Sequence, residues 1–327
     1  MKLLIILTIF ATSCFAADFD KLVLRFFGTG YNDYKNLTMT GNFSAINGTA
    51  YFDMTKLSAL IIHGRVENYS SDVVKELHGA FATRSSTYNI ILADWGAYSE
   101  EFYLKMMLNL NDMADNFVFL LNKTKTAGYD LKKIYPVGFG VGAHVAGRIG
   151  SILKDQNTTL PRITGLDPTG VLYNWAALTV KIFGAKSNKT PFKTLYKGDA
   201  SFVDVIHTNA FWYRGVGVAM GDVDFWPNGG VTQLKCDKNC TFPKVIYKVE
   251  DCSTCSHDAA FYYYAESVRS FFPNFNSKLC KNNTLIKSSK SCKESASANM
   301  GFFASSTATA GSYWLETNKA WPYSKLF

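Results

Sequence analysis

The chain has 327 residues, of which 47% are hydrophobic and 18% charged, and a formal charge of +8. That composition supplies ample material for a buried core and excludes a disordered or low-complexity polypeptide. The basic excess serves solubility, or draws the surface to the acidic headgroups of a membrane surface or to sulfated glycans.

Met1 to Ala16 (MKLLIILTIFATSCFA) reads as a signal peptide, with Lys2 ahead of an apolar run and small residues at Cys14 and Ala16 suited to cleavage. The run is too short for a membrane span, and no later segment offers about twenty uninterrupted apolar residues. Residues 17–327 are therefore expected to form a soluble, secreted, extracellular protein, which argues against nucleic acid as a partner. Glycosylation sequons agree with export: Asn-x-Ser/Thr triplets open at Asn36, Asn42, Asn47, Asn68, Asn122, Asn157, Asn188, Asn239 and Asn282, which places those loops at the surface. Cys14 leaves with the signal. Cys236, Cys240, Cys252, Cys255, Cys280 and Cys292 remain as an even set in the last third of the chain, with fifteen pairings open in principle.

Apolar strand-like runs alternate with helix-like segments, the order expected of a mostly parallel sheet with helices on both faces. Leu57 to His63 (LSALIIH) predicts a buried strand, and Asn89 to Asp94 (NIILAD) a second. From Glu101 to Leu121 the apolar residues recur at helical spacing. Lys133 to Val137 predicts a strand, Gly142 to Lys154 a helix, Ser201 to His207 a further strand, and Ala259 to Phe272 an aromatic-rich helix. No repeat and no Pro/Gly/Ser-rich linker divides the chain, so a single α/β domain is expected.

Between the strand at Lys133 to Val137 and the helix from Gly142 lies Gly138-Phe139-Gly140-Val141-Gly142. This is the frame of a nucleophile elbow, G-x-S-x-G, a sharp strand-to-helix turn that lifts its central residue above the sheet. Both flanking glycines are present, and the centre, Gly140, has no side chain. Around the elbow stand His63-Gly64, Asp94-Trp95, Gly142-Ala-His144-Val-Ala-Gly147, Ile163-Thr-Gly-Leu-Asp-Pro168, Val203-Asp-Val-Ile-His-Thr208, Val223-Asp-Phe-Trp-Pro-Asn-Gly-Gly230 and Cys255-Ser-His257. Together and in this order, these motifs resemble the pancreatic-type lipase family, in which secreted phospholipases A1 and the yolk proteins of higher flies form branches. The yolk proteins likewise lack the serine.

The resemblance implies an α/β-hydrolase fold without cofactor or metal, and a triad whose acid is Asp167 and whose base is His257, with the nucleophile position at Gly140. Nucleophile, acid, base is the chain order of α/β-hydrolases. It also implies oxyanion donors at the backbone N–H groups of Arg65 and Val141, and assigns His207 to a non-catalytic, buried position. Glycine can neither form an acyl-enzyme nor be activated by a histidine. A triad lacking a member keeps only ~10³ to 10⁴ over water from the oxyanion hole and binding. Glycine also avoids a backbone strain on the order of 1–3 kcal/mol at such a turn. The expected protein is an inactive lipase homologue that binds lipid or an apolar small molecule, or acts as a yolk-like, seminal or storage protein. The alternative is a working lipase or phospholipase A1 in which His257 activates a water.

The family's lid lies between disulfide-linked ends, which here implies a Cys236–Cys255 bridge with Cys240–Cys252 nested inside it, and Cys280–Cys292 apart. The inner loop, TFPKVIYKVED, is short, as in the phospholipase A1 and yolk-protein branches. A redox or zinc role for Cys252-Ser-Thr-Cys255 is disfavoured by the oxidising compartment and the lack of a second ligand pair. An apolar and basic insertion relative to the family lies within NWAALTVKIFGAKSNKTPFKTL, after Pro168. The family's C-terminal β-sandwich is not expected, because Gly301 to Phe327 is only long enough to finish the sheet through the run at Ser312.

Overall fold

The computed structural model describes residues 19–170, 193–210, 214–236, 249–280 and 292–325. Their strands are β1 (Val23–Phe27), β2 (Tyr34–Leu37), β3 (Leu57–Ile62), β4 (Tyr88–Asp94), β5 (Ile134–Phe139), β6 (Ile163–Leu166), β7 (Val203–Ile206), β8 (Val223–Pro227), β9 (Asn276–Cys280), β10 (Cys292–Asn299) and β11 (Gly311–Leu315). The helices are α1 (Asp72–Ala82), α2 (Tyr103–Leu108), α3 (Leu110–Thr126), α4 (Val141–Asp155) and α5 (Val249–Arg269). Among the described residues the strands form one sheet in the order β10-β9-β11-β8-β7-β6-β5-β3-β4-β1-β2. From β4 through β11 the neighbours are parallel. Antiparallel strands are confined to the two edges. This is the α/β-hydrolase arrangement.

Strand side chains alternate between faces, and the core follows that rule. Leu60, Ile62, Ile91 and Ala93 point to the layer that holds α3 and α4, where Phe117, Leu121, Val145 and Ile149 close over them. Ala59, Ile61, Ile90 and Leu92 point the other way, under Val74, Leu77 and Phe81 of α1 and Phe261 and Tyr264 of α5. With both faces covered, the central strands read as near-continuous apolar runs, which is why LSALII and NIILA are legible as strands.

Two helical expectations shift. The periodic stretch from Glu101 to Leu121 is two helices, α2 and α3, broken at Asn109, whose backbone leaves the helical region at φ −89 and ψ 2; asparagine competes for backbone hydrogen bonds and favours such breaks. The aromatic helix begins earlier than Ala259 and stops at Arg269, ahead of Pro273, whose ring disfavours helix just before it. Helix α1 has no counterpart in the sequence reading. The insertion after Pro168 lies mostly outside the described residues, and the run at Ser312 forms β11, which joins the sheet between β8 and β9 with β10 beyond them.

β3, β5, β6 and β7 are parallel neighbours, so their C-terminal ends meet along one edge of the sheet. That edge is braced from the opposite end by Arg162, whose Nε and Nη2 donate to the two oxygens of Asp204 at 2.7 and 3.0 Å. Its Nη1 and Nη2 also donate to the carbonyls of Phe302 and Gly301 at 2.8 and 2.7 Å. Arg162→Met leaves the fully buried Asp204 carboxylate without its ion pair, and the expected loss is about 3 to 5 kcal/mol, measured by urea unfolding.

Candidate active site

Gly140 is the single residue between β5 and α4, at φ +57 and ψ −118, a region that side chains other than hydrogen rarely adopt. Its flanking glycines are demanded by contact. A Cβ on Gly138 would lie 2.3 Å from the carbonyl oxygen of Gly142, and one on Gly142 would lie 2.2 Å from that of Ile62. At Gly140 the surroundings differ: a Cβ there would stand 3.2 Å from His257 Nε2 and 3.3 Å from Thr169 Oγ1. A Cβ at the turn would press on these two side chains by a few tenths of an ångström, whereas one at either flanking glycine would meet backbone.

The structure brings Gly140, Asp167 and His257 together. Asp167 follows β6 and is fully buried, at φ +41. Its Oδ1 accepts from the backbone N–H groups of Thr208 and Asn209 at 2.8 and 3.0 Å. Its Oδ2 lies 2.6 Å from His257 Nδ1. With that proton given to the carboxylate, Nδ1 is the donor and Nε2 is the ring atom turned towards Gly140. His257 is 8% exposed, and its imidazole packs on the Phe139 ring with centroids 4.3 Å apart. The Cys236–Cys255 disulfide ties α5 to the loop after β8 two residues before His257.

Arg65 and Val141 line the same cavity as His257, a cleft of about 570 Å³ at the C-terminal edge of the sheet. Val141 is the first residue of α4, so its N–H is one of those a helix leaves without an internal partner. Two acids missing from the sequence reading are also in the wall, Glu67 and Asp258. Glu67 Oε2 accepts the Gly64 N–H at 2.5 Å, and burial pushes its carboxyl up to about 8. Burial raises Asp258 as well. Thr169, Tyr103 and Arg214 also line the wall. Glu67, Asp258 and Thr169 each sit within a few positions of a recognised motif, but the sequence reading gave them no role, and Tyr103 and Arg214 adjoin no motif at all.

The other motif histidines are structural in their surroundings. His207 stacks on Trp226 at 3.9 Å and faces the Val216 carbonyl with Nδ1 and Asp224 with Nε2, at 3.1 and 2.7 Å. His144 donates from Nε2 to the Thr169 carbonyl at 2.8 Å and accepts the Leu195 N–H on Nδ1 at 3.2 Å. Burial lowers it to about 4, so it stays neutral and fixes the segment carrying Thr169.

Of the remaining expected positions, Cys280 pairs with Cys292 between β9 and β10. Cys252 is disulfide-bonded, while Cys240 and most of the short lid lie outside the described residues. Asn36, Asn42, Asn68 and Asn157 are exposed, and Asn47 and Asn122 half-buried. Asn188, Asn239, Asn282 and the segment 1–16 lie outside the described residues. Among the described residues no cluster of His, Cys, Asp and Glu has the makings of a metal site, and no helix is long and apolar enough to cross a membrane.

A parallel sheet with helices on both faces, and a glycine-framed turn from β5 into α4 at its C-terminal edge, define an α/β-hydrolase fold. The chain matches the Lipase family over residues 15–323 and belongs to it. Lipase member H-A of Xenopus laevis is 31% identical over 230 residues, 68% of this chain and 44% of that protein. Lipase member H of Rattus norvegicus is 32% identical over 236 residues, 68% of this chain and 45% of that one. Pancreatic triacylglycerol lipase of Sus scrofa is 28% identical over 266 residues, 77% of this chain and 54% of that one. The chain spans about half the length of these relatives, or less.

Two measurements test the site's construction. Gly140→Ala is expected to cost about 1 to 3 kcal/mol from its positive φ alone, whereas Gly142→Ala forces backbone apart and is expected to cost about 3 kcal/mol or more, both read by urea unfolding. Glu67 keeps a proton in the folded state that the unfolded chain releases, so it withdraws stability as pH rises from the ordinary glutamate range to about 8. Glu67→Gln is therefore expected to gain in melting temperature relative to wild type between pH 5 and 8, at about 2 to 4 °C per kcal/mol.

Proposed function

We infer that this protein is a secreted, glycosylated lipase homologue that no longer hydrolyses esters and instead binds lipid or an apolar small molecule in its former active site. The single observation that supports this reading is the geometry at Gly140. A histidine, oriented by a buried aspartate, is aimed at a residue with no side chain. Acyl-enzyme formation needs a nucleophile that the histidine can deprotonate. Asp167 and His257 are read as the acid and base of an inherited triad, and the N–H groups of Arg65 and Val141 as its oxyanion donors. Retention of the acid and base needs no turnover, because removing one partner strands the other without its hydrogen bond. Disulfides, the N-terminal signal and the exposed sequons support export. A role as a yolk-like, seminal or storage protein is compatible with this binding function, as is contact of the basic surface with a membrane or a sulfated glycan.

The test is hydrolysis of short- and long-chain esters and of phosphatidylcholine by purified wild type, Gly140→Ser and Gly140→Ser/His257→Ala. Wild type is expected to stay at background. Gly140→Ser is expected to exceed it by ~100-fold or more, since a missing nucleophile costs several orders of magnitude, and His257→Ala should remove the gain. Turnover by wild type that disappears in His257→Ala alone would overturn the reading in favour of a water activated by His257. Secretion from eukaryotic cells is expected to yield a product whose mass falls on enzymatic removal of N-linked glycans.

A further inference from the structure

Helix α5 carries His257 near the cleft and ends at Arg269, about 18 Å further along its axis, at the opposite edge of the sheet. Directly after it, Phe271 and Phe272 are 76% and 77% exposed. They are held out on a fixed loop. Arg84 Nε donates to the Val268 carbonyl at 3.0 Å and its Nη2 to that of Ser270, so a cation closes the carbonyl end of the helix. Ser270 Oγ donates to the Phe272 carbonyl at 2.6 Å and accepts its N–H at 3.3 Å, and Pro273 restricts the backbone before it. The Arg84 guanidinium carbon lies 5.5 Å from the centre of the Phe271 ring, 5.0 Å from that of Phe302 and 6.0 Å from that of Phe303. Single exposed apolar residues are ordinary, but an aromatic patch of this kind with polar surroundings marks an interaction surface.

Cations continue from Arg84 along the starts of the parallel strands. Lys56, just before β3, donates from Nζ to the Ser85 carbonyl at 2.9 Å. Lys133, just before β5, donates to the Met54 carbonyl at 3.1 Å. These partners are backbone carbonyls, which fix the side chains without cancelling their charge. Asp53 offsets part of the row: hydrogen bonds from Thr55, with Lys56 and Lys133 nearby, hold its carboxyl below the ordinary value. Arg269 adds nothing, being paired with Glu76. We propose that this edge docks on a phospholipid surface bearing anionic headgroups, with Phe271 and Phe272 inserted among the acyl chains and Arg84, Lys56 and Lys133 against the phosphates. The proposal rests on the membrane contact considered above and names the face that makes it, independently of what the cleft holds.

Two features favour lipid as the occupant. Peripheral membrane binding combines buried apolar area with attraction between basic side chains and anionic lipid, and aromatic and basic groups stand side by side here. The patch is also clear of glycan. Residues 72–88, 262–279 and 300–311, which surround it, contain no Asn-x-Ser/Thr triplet in a chain otherwise dense in them. The sequons at this end of the molecule, Asn122 in α3 and Asn157 after α4, belong to the layer on the other face of the sheet. Docking at this edge leaves the mouth of the cleft turned towards solution.

The experiment is co-sedimentation of the full-length protein, secreted with its glycans from eukaryotic cells, with vesicles of phosphatidylcholine alone and of an equal mixture with phosphatidylglycerol. Wild type, Phe271→Ser/Phe272→Ser and Lys56→Gln/Lys133→Gln are compared, and the melting temperature of each verifies its folding. Wild type is expected to prefer the mixed vesicles and to lose that preference as salt rises from ~0.1 to ~0.5 M. Phe271→Ser/Phe272→Ser should lower partitioning into both kinds of vesicle by ~10-fold or more. Lys56→Gln/Lys133→Gln should lower it by ~10-fold for the mixed vesicles alone. Equal binding by wild type and the phenylalanine variant overturns this docking face while membrane contact elsewhere stands. Failure of wild type to bind either vesicle overturns the face and the membrane contact together and leaves the cleft reading untouched. In that case retention on immobilised heparin assigns the cations to a sulfated glycan, and a wild-type dimer that the phenylalanine substitutions dissociate assigns the patch to a second copy of the chain.

Discussion

α4 can start one residue after β5 ends only because Gly142 lets its backbone rest against the carbonyl oxygens of Ile62 and His63, where a Cβ would come within 2.2 and 2.4 Å. That contact joins the helix to the end of the neighbouring parallel strand and leaves no slack in the turn between them. The residue in the turn is then forced to positive φ, and the first amide of the helix is forced to face the cleft beyond the strand ends. In a parallel α/β sheet this edge is where ligands gather, because the loops that follow successive strands converge there. Asp167 arrives after β6 and the segment beginning at Thr208 after β7, each delivered by its strand. The cleft is thus a consequence of strand order and one glycine contact, and it persists whatever residue occupies the turn.

The same logic explains why an acid and a histidine can outlast a nucleophile. Asp167 is fully buried and accepts hydrogen bonds from two backbone amides as well as from His257. Without His257 it keeps two donors and loses the third. Without Asp167 the amides of Thr208 and Asn209 lose their acceptor. Either single loss leaves a buried polar group unsatisfied, at about 1 to 3 kcal/mol and more for a charged one. Loss of a serine hydroxyl at the turn carries no such penalty, since it removes strain. Degeneration of this kind of site is therefore expected to take the nucleophile first.

How much of this was legible in the sequence follows from what each residue interacts with. The central strands and α4 are visible because both faces of the sheet are covered, which turns LSALII and NIILA into unbroken apolar runs. The elbow is visible because steric contact fixes glycine at Gly138 and Gly142. The edge strands β1, β2, β9 and β10 were not singled out; they pair on their outer sides with water or with one another, and that leaves a weaker pattern. Asn109 breaks a helix that its apolar spacing continues, since spacing reports burial and not backbone hydrogen bonding. Glu67 and Asp258 were missed for another reason. Nothing local marks a carboxyl that folds back into a cleft, and the perturbation of both arises from burial that only the assembled wall creates.

That wall bears on what the cleft is built to hold. Catalysis requires groups that interact more strongly with the transition state than with the ground state, and in a serine hydrolase the hydroxyl is what turns the histidine's basicity into bond formation. On the proposed reading, with no hydroxyl at the turn, the polar groups around Gly140 have no developing charge to follow and serve a ground-state ligand instead. A neutral Glu67 beside two arginines shifts the field of the cleft towards anions without adding a fixed negative charge. Such a field favours binding of a ground-state anion and needs no turnover, in keeping with the proposed loss of activity at the turn.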